Sequence, residues 1–333
     1  MKAFTAAEVI DNYDNGFKGV VPNPAADRSL ITYLVQHGGY AKASDAIANS
    51  GLAGSGAGKV FLPYLAALKM YPNCLPGGAQ QRGSCVAWTT RNTALVSYCA
   101  YLMYGKNAER YSPPVVSKTA CENGVASTEG IYWFRGYDSD GWQGSAAAEV
   151  AISQCGLLIR QPYPELGFDL TEYSPVTEGR WGAHAPPANV QAVCQQHLCS
   201  NATVCNSYEE VRDLLANGYA ISTTGSEAFG KNRDDWGVCR RTNGTWYHAM
   251  TYIACDDRPE TIAKWGCGLV LVQNSWGNYL SGEDTVHGTG YKIPVGSFWA
   301  RWQDVENRYC CALGPAVGWP ANKLPDLGLD GIV

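Results

Sequence analysis

The stretch Gln80-Gln81-Arg82-Gly83-Ser84-Cys85-Val86-Ala87-Trp88 decides how this chain is read. A glycine-containing turn hands over there to a segment in which Ala87/Trp88, Ala94/Leu95, Tyr98 and Tyr101/Leu102 recur at helical spacing. The pattern predicts a helix over 85–105, stopped by Gly105. Cys85 then falls in the first turn, where unpaired N–H groups and the helix dipole favour negative charge. That is the place to hold a thiolate, the form of cysteine that attacks carbon. A long helix is also a more rigid mount for a nucleophile than a loop.

Two later stretches complete a chemical set. Tyr247-His248-Ala249-Met250 carries a histidine 163 residues beyond Cys85, and Gln273-Asn274-Ser275-Trp276-Gly277 carries an asparagine 26 residues beyond that. Nucleophile, base and a group that orients the base are the parts that thiol catalysis needs. Nothing local holds them together at these separations, so only a tertiary fold can do so.

On these residues the chain resembles the papain-like cysteine peptidases, of a bacterial or viral type. The likeness rests on a Gln-bearing turn before Gly83-Ser84-Cys85, on Ala87 and Trp88 after it, on His248-Ala249, and on Asn274-Ser275-Trp276-Gly277, in the order Cys, His, Asn. Weaker likeness lies in Gly141-Trp142-Gln143-Gly144 and Gln161-Pro162-Tyr163-Pro164, so the resemblance covers roughly 75–300. It implies an α+β, papain-like fold. A helical sub-domain with the nucleophile helix packs against a sheet or barrel sub-domain, and an N-terminal extension precedes both. It also implies Cys85 as nucleophile, His248 as its ion-pair partner and proton donor, Asn274 as the orienter of His248, and Trp276 as a cover over the His–Asn hydrogen bond. The oxyanion hole would combine the Cys85 N–H with a Gln side chain. The family places that Gln six residues before the Cys, where this chain has Ala79, so Gln80 is expected to serve through a loop one residue shorter, in preference to Gln81. Gly144, with Gly141 nearby, is the expected backbone partner of an extended peptide, and Ser145 and Ala146 would edge an adjacent pocket suited to a bulky apolar side chain.

Composition sets the outer bounds. The chain has 333 residues, 46% hydrophobic and 17% charged, with a net charge of −5, which gives no reason to expect nucleic acid or an anionic membrane as partner. No apolar run is long enough to span a bilayer, and the first residues lack the apolar core of a secretory signal, so a cytoplasmic or virion-associated protein is expected over a classically secreted one. Thirteen cysteines leave an even twelve besides Cys85, compatible with disulfides or with buried thiols. Cys310-Cys311 and the group Cys194, Cys199 and Cys205 are the expected participants if pairs form. Cys194-Gln195-Gln196-His197-Leu198-Cys199 carries zinc-ligand types in no recognised spacing; no metal and no cofactor is expected. His37, His184 and His287 have no partner motif.

Three segments follow. Residues 1–70 read as an N-terminal extension, integral in preference to an inhibitory pro-segment, with short helices near 28–37 and 40–49 and a glycine-rich linker or loop over 50–58. Residues 71–190 form the helical half with Cys85, including a helix over 145–155 ended by Gly156. Residues 191–333 form the β-rich half with His248 and Asn274. It opens with a helix over 211–217, which Ser207 and Glu210 cap, and continues with strands over 219–223, 247–255, 268–274 and 291–295. The expected activity is endopeptidase cleavage of protein or peptide substrates through a thioester. The competing readings are a catalytically weak or inactive papain-like structural protein with assembly partners, as in a virion, and a cysteine amidase acting on peptidoglycan.

Overall fold

A computed structural model describes residues 5–15, 18–37, 41–75, 78–104, 126–155 and 158–314. Gly105 and Gly156, the expected helix stops, lie outside the described residues. Helices come first and strands later, as the sequence pattern requires of an α+β protein. The N-terminal residues form α1 (Ala6–Asp14), α2 (Pro24–Gln36), α3 (Ala43–Ser50) and α4 (Tyr64–Met70), ahead of α5 (Cys85–Tyr104). Local chemistry sets several of these boundaries. Thr5 and Glu8 form a reciprocal capping box, Asn23 caps α2 with Pro24 in its first turn, and Gly51 ends α3 in the left-handed region at φ 70°.

The strands are β1 (Val60–Phe61), β2 (Pro162–Tyr163), β3 (Phe168–Asp169), β4 (Ala202–Cys205), β5 (Ile221–Phe229), β6 (Asn232–Arg233), β7 (Arg241–Asp256), β8 (Leu269–Gln273), β9 (Ser281–Gly282), β10 (Ser297–Arg301) and β11 (Tyr309–Leu313). Seven of them make one antiparallel sheet in the order β10-β8-β7-β5-β11-β4, with β1 pairing to the C-terminal end of β7. β2 with β3 and β6 with β9 form two small ribbons. β7 is the axis of the sheet. It runs for 16 residues, exposed over its first five and buried over its second half, between β5 on one side and β8 on the other.

The helix over Cys85–Tyr104 lies across β7, and its sequence shows more than an apolar stripe. Thr89, Thr90, Arg91, Asn92, Thr93 and Ser97 are all buried with the apolar positions. Most of these have visible partners. Thr89 Oγ1 donates to Met250 O at 2.5 Å and lies 2.9 Å from Thr251 Oγ1, Arg91 reaches Cys74 O at 2.8 Å and Ala126 O at 3.1 Å, and Ser97 Oγ accepts from Ala220 N at 3.0 Å. A helix buried on every side needs its polar groups matched in this way.

The turn that presents Cys85 is anchored from the helical side. Ser84 Oγ donates to Glu178 Oε2 at 2.8 Å, and Tyr173 Oη donates to the same oxygen at 2.8 Å. Burial, reinforced by the nearby Glu129 carboxylate, pushes the Glu178 carboxyl up to about 8. Glu129 itself pairs with buried Arg160 at 3.0 Å.

The structure corrects two local expectations. The stretch 291–295 is not a strand. Pro294 lacks an N–H for a ladder and Gly296 turns the chain at φ 76°, so the strand begins only at Ser297. Residues 50–58, expected as a flexible linker or loop, form successive turns tied down by carboxylates. Asp213 accepts from Gly54 N at 2.7 Å and Gly56 N at 3.1 Å, and Asp257 accepts from Gly58 N at 2.8 Å.

Two stability predictions follow from these anchors. Asp213→Ala strands both glycine amides and should cost about 2 kcal/mol in urea denaturation; an unchanged midpoint would remove Asp213 as the tie. A carboxyl whose folded pKa lies above its unfolded value stabilises fully below the unfolded pKa and loses that contribution as pH rises through the folded one. Wild-type stability should therefore decline between about pH 4.5 and about 8 relative to Glu178→Gln, by on the order of a few kcal/mol. Parallel stability curves would show that Glu178 does not take up that proton.

Candidate active site

Cys85 opens α5, His248 lies in the buried half of β7, and Asn274 follows β8 directly. Because β7 and β8 are adjacent antiparallel strands, with Thr251 opposite Gln273, the end of β8 arrives beside His248. His248 Nε2 lies 2.8 Å from Asn274 Oδ1. Asn274 is itself held, since its Oδ1 also accepts from Ser275 N at 2.7 Å and its Nδ2 donates to Tyr279 Oη at 2.9 Å. This assigns Nε2 as the donor and leaves Nδ1, which has no hydrogen-bond partner, as the basic nitrogen. Trp276 stacks on the imidazole with ring centroids 4.7 Å apart.

The thiol meets the same strand one residue on. Ala249 N donates to Cys85 Sγ at 3.4 Å. The turn before α5 brings Gln80 to this point as well. Gln80 N donates to Ser275 O at 2.7 Å, Ser275 Oγ donates to Gln80 Oε1, and Gln80 Nε2 donates to Arg82 O at 2.7 Å and reaches Tyr13 Oη at 3.4 Å. The Gln81 backbone N–H donates to Tyr173 Oη at 3.3 Å. Cys85, His248, Asn274 and Gln80 therefore stand together.

Tyr13 is the residue that sequence reading missed. It comes from α1, hydrogen-bonds the Cys85 thiol, and lies 4.6 Å from the His248 ring and 5.3 Å from Trp276 by ring centroids. Tyr13, Cys85, His248 and Asn274 are each 0% exposed, so the thiol and the imidazole are shut off from solvent. Residues 18–21 extend the cover. Gly19 N and Val20 N donate to Tyr247 O at 3.0 and 2.9 Å, Trp142 N donates to Gly19 O at 3.1 Å, and Val21 N donates to Trp142 O at 2.9 Å. Gly19 has to be glycine here, because a Cβ would stand 1.9 Å from Tyr13 Oη and 2.6 Å from Cys85 Sγ. A tyrosine in a short amphipathic helix carries no sequence signal for such a place.

The backbone partner of this extended segment is Trp142. Gly141, at φ 96°, lies against Lys18 O, 2.9 Å from where its Cβ would be. Gly144 begins the Gly144–Ser153 helix and makes a close approach to β5, where a Cβ would meet Thr224 Cγ2 at 2.8 Å. Ser145 Oγ and Gln143 Nε2 both donate to Asp27 of α2, at 2.5 and 2.9 Å, so a carboxylate sits at that helix N-terminus.

Closure sets the protonation states. Burial pushes the Cys85 thiol up to about 11, against the opposing hydrogen bonds from Tyr13 and from the Ala249 and Val86 amides. Burial likewise presses the His248 imidazole down to about 3, against the hydrogen bond to Asn274. Burial therefore favours the neutral thiol and the neutral imidazole in this form.

The other chemistry-bearing residues stand apart. All of the described cysteines but Cys267 are buried. Among the described residues no group of three or more His, Cys, Asp or Glu side chains is placed to hold a metal ion, and no helix is long and apolar enough to cross a membrane. His37 Nδ1 lies 2.9 Å from Tyr33 O, and His287 stacks on Trp236 at 3.7 Å.

No family model matches the chain, and no curated protein does. Solved structures do. The chain is similar to xylellain, a cysteine protease from Xylella fastidiosa, at 15% identity and a TM-score of 0.48 over 78% of this chain and 87% of that one. It is similar to procathepsin B S9 from Trypanosoma congolense at 14% identity and a TM-score of 0.42 over 78% of each chain. It is also similar to the proform of Amb a 11, a ragweed pollen cysteine protease, at 13% identity and a TM-score of 0.40 over 93% of each. The solved structures that the chain resembles are thus cysteine proteases, at low sequence identity.

Proposed function

We propose that the chain is a cysteine peptidase held in a closed form by its own N-terminal segment. The observation that carries this reading is the convergence of Cys85, the oriented His248–Asn274 pair and the Gln80 amide on one point. In the open form His248 Nδ1 takes the Cys85 proton, and the resulting thiolate attacks a peptide carbonyl carbon. The oxyanion is met by the Cys85 N–H and Gln80 Nε2, donors fixed in advance. As the C–N bond breaks, the imidazolium gives its proton to the leaving amine, and a thioester remains on Cys85. Water, deprotonated by His248, then attacks the thioester, releasing the carboxylic acid and restoring the thiol.

A peptide substrate suits the groove because a length of polypeptide already lies in it, paired through its backbone to Trp142 and Tyr247. Residues 71–190 supply the nucleophile and 191–333 the base and its orienter. Of the extension, residues 1–70, Tyr13 and residues 19–21 cover the site. Its later part belongs to the body of the protein, with β1 in the sheet and α3 against the Tyr208–Ala216 helix. Tyr13 Oη lies within reach of both the thiol and the Gln80 amide, the place the oxyanion would take, so substrate and Tyr13 exclude one another.

Two experiments test the reading. An epoxide inhibitor of thiol peptidases should label Cys85 slowly in the wild type and at least about tenfold faster in Tyr13→Ala, a change equivalent to ~1.4 kcal/mol, with peptide hydrolysis rising in parallel and vanishing in Cys85→Ala. Adducts on another cysteine, or a folded Tyr13→Ala protein inert toward all peptides, would favour a structural protein. Gln80→Ala should lower kcat by roughly 10²–10³ while Gln81→Ala stays near wild type; the reverse order would move the oxyanion role to Gln81.

A further inference from the structure

Arg308 lies behind the imidazole, in the turn that leads into β11, with its side chain fully buried. All three of its guanidinium nitrogens are used. Nη2 donates to the His248 carbonyl oxygen at 2.7 Å, Nη1 to Glu227 Oε2 at 3.0 Å, and Nε to Thr223 Oγ1 at 3.0 Å. The neighbouring strand is shaped to admit it. Gly225 stands opposite His248 in the β5–β7 register, and a Cβ there would lie 2.6 Å from Arg308 Cγ and 2.4 Å from Glu227 Oε2. The register then shifts between Gly225 and Glu227, a bulge that brings the carboxylate to the guanidinium.

Stability gives a poor account of this arrangement. A buried ion pair is commonly no more stabilising than apolar residues of the same volume, because both charges must be desolvated. Here a glycine, a bulge and a buried pair all serve one contact on the backbone of His248. We infer that Arg308, held by Glu227, is a positioning residue that clamps the His248 main chain and supplies a fixed positive charge beneath the Cys85–His248 pair. The inference rests on the peptidase reading of that site.

The groups facing this charge are Glu227 on β5, His248 and Tyr252 on β7, Cys310 on β11, Cys85 on α5 and, across the imidazole, Tyr13 on α1. Burial dominates the titration of Cys85 and His248, and the Arg308 charge acts on both in addition, favouring the thiolate and disfavouring the imidazolium. It therefore moves the formation and the loss of the thiolate–imidazolium pair to lower pH together. A purely structural brace would change the amount of active protein and leave both limbs of the pH profile in place.

The test compares the full-length wild type with Arg308→Met/Glu227→Gln, Arg308→Lys and Glu227→Gln, with folding checked by circular dichroism. Readouts are kcat/KM against pH on a peptide substrate and the pH dependence of Cys85 alkylation by iodoacetamide, with the site located by mass spectrometry. In the double variant both limbs should move up by about one pH unit, the scale of shift from a charge a few ångströms away. Arg308→Lys should lower kcat and keep the limbs. Glu227→Gln, which leaves Arg308 uncompensated, should move both limbs down. If the double variant does not fold, the sign of the Glu227→Gln shift decides. Limbs that stay in place in the folded variants overturn the inference alone. A wild type that neither hydrolyses peptides nor alkylates at Cys85 overturns the peptidase reading instead. The His248 imidazole nitrogens, titrated by NMR in the same proteins, then decide Arg308 separately.

Discussion

Everything at this site depends on the seam between α5 and β7. Thr89 of the helix bonds to Met250 and Thr251 of the strand, and one turn earlier the Ala249 amide points at the Cys85 sulfur. Those contacts set the helix on the strand in one register. Cys85 and His248 lie far apart in sequence, and an apolar surface alone would allow the helix to slide. Buried hydroxyls that must find partners do not, because each mismatch would strand a polar group in the core.

The same burial that fixes the register also acts on the two titratable groups. Desolvation pushes the Cys85 thiol up and presses the His248 imidazole down, so burial favours the neutral form of each. Tyr13 and the strand-like residues 18–21 are what keep water away. Their hold is composed of ordinary backbone hydrogen bonds and one phenol, a modest set that local undocking can release.

Charged groups are concentrated where the fold presents its reactive residues. Glu178 receives Ser84 beside the nucleophile, Asp27 meets the start of the Gly144–Ser153 helix, and Arg308 with Glu227 grips the strand carrying His248. Each costs desolvation, and each fixes a direction that apolar packing leaves loose.

The sequence by itself determined the helical mount of Cys85 and pointed to the partners proposed for it. Helical periodicity after Ser84 placed Cys85 in a first turn, the strand pattern over 247–255 placed His248 at the start of a strand, and the run from Asn274 to Gly277 was legible through the family resemblance. The same resemblance favoured Gln80 over Gln81, and the fold brings Gln80 beside Ser275 and Tyr13. Residues 291–295 read wrongly as a strand because Tyr291, Ile293 and Val295 outweighed Pro294 and the turn at Gly296. Tyr13, Gly19 and Arg308 were silent, since a tyrosine in a short helix, a lone glycine and an arginine in a turn have solvent-facing roles in most proteins. Only the tertiary structure put them at the thiol, the groove and the back of the imidazole. Local periodicity encodes which face of an element is buried, whereas what lies against that face depends on chain segments hundreds of residues away.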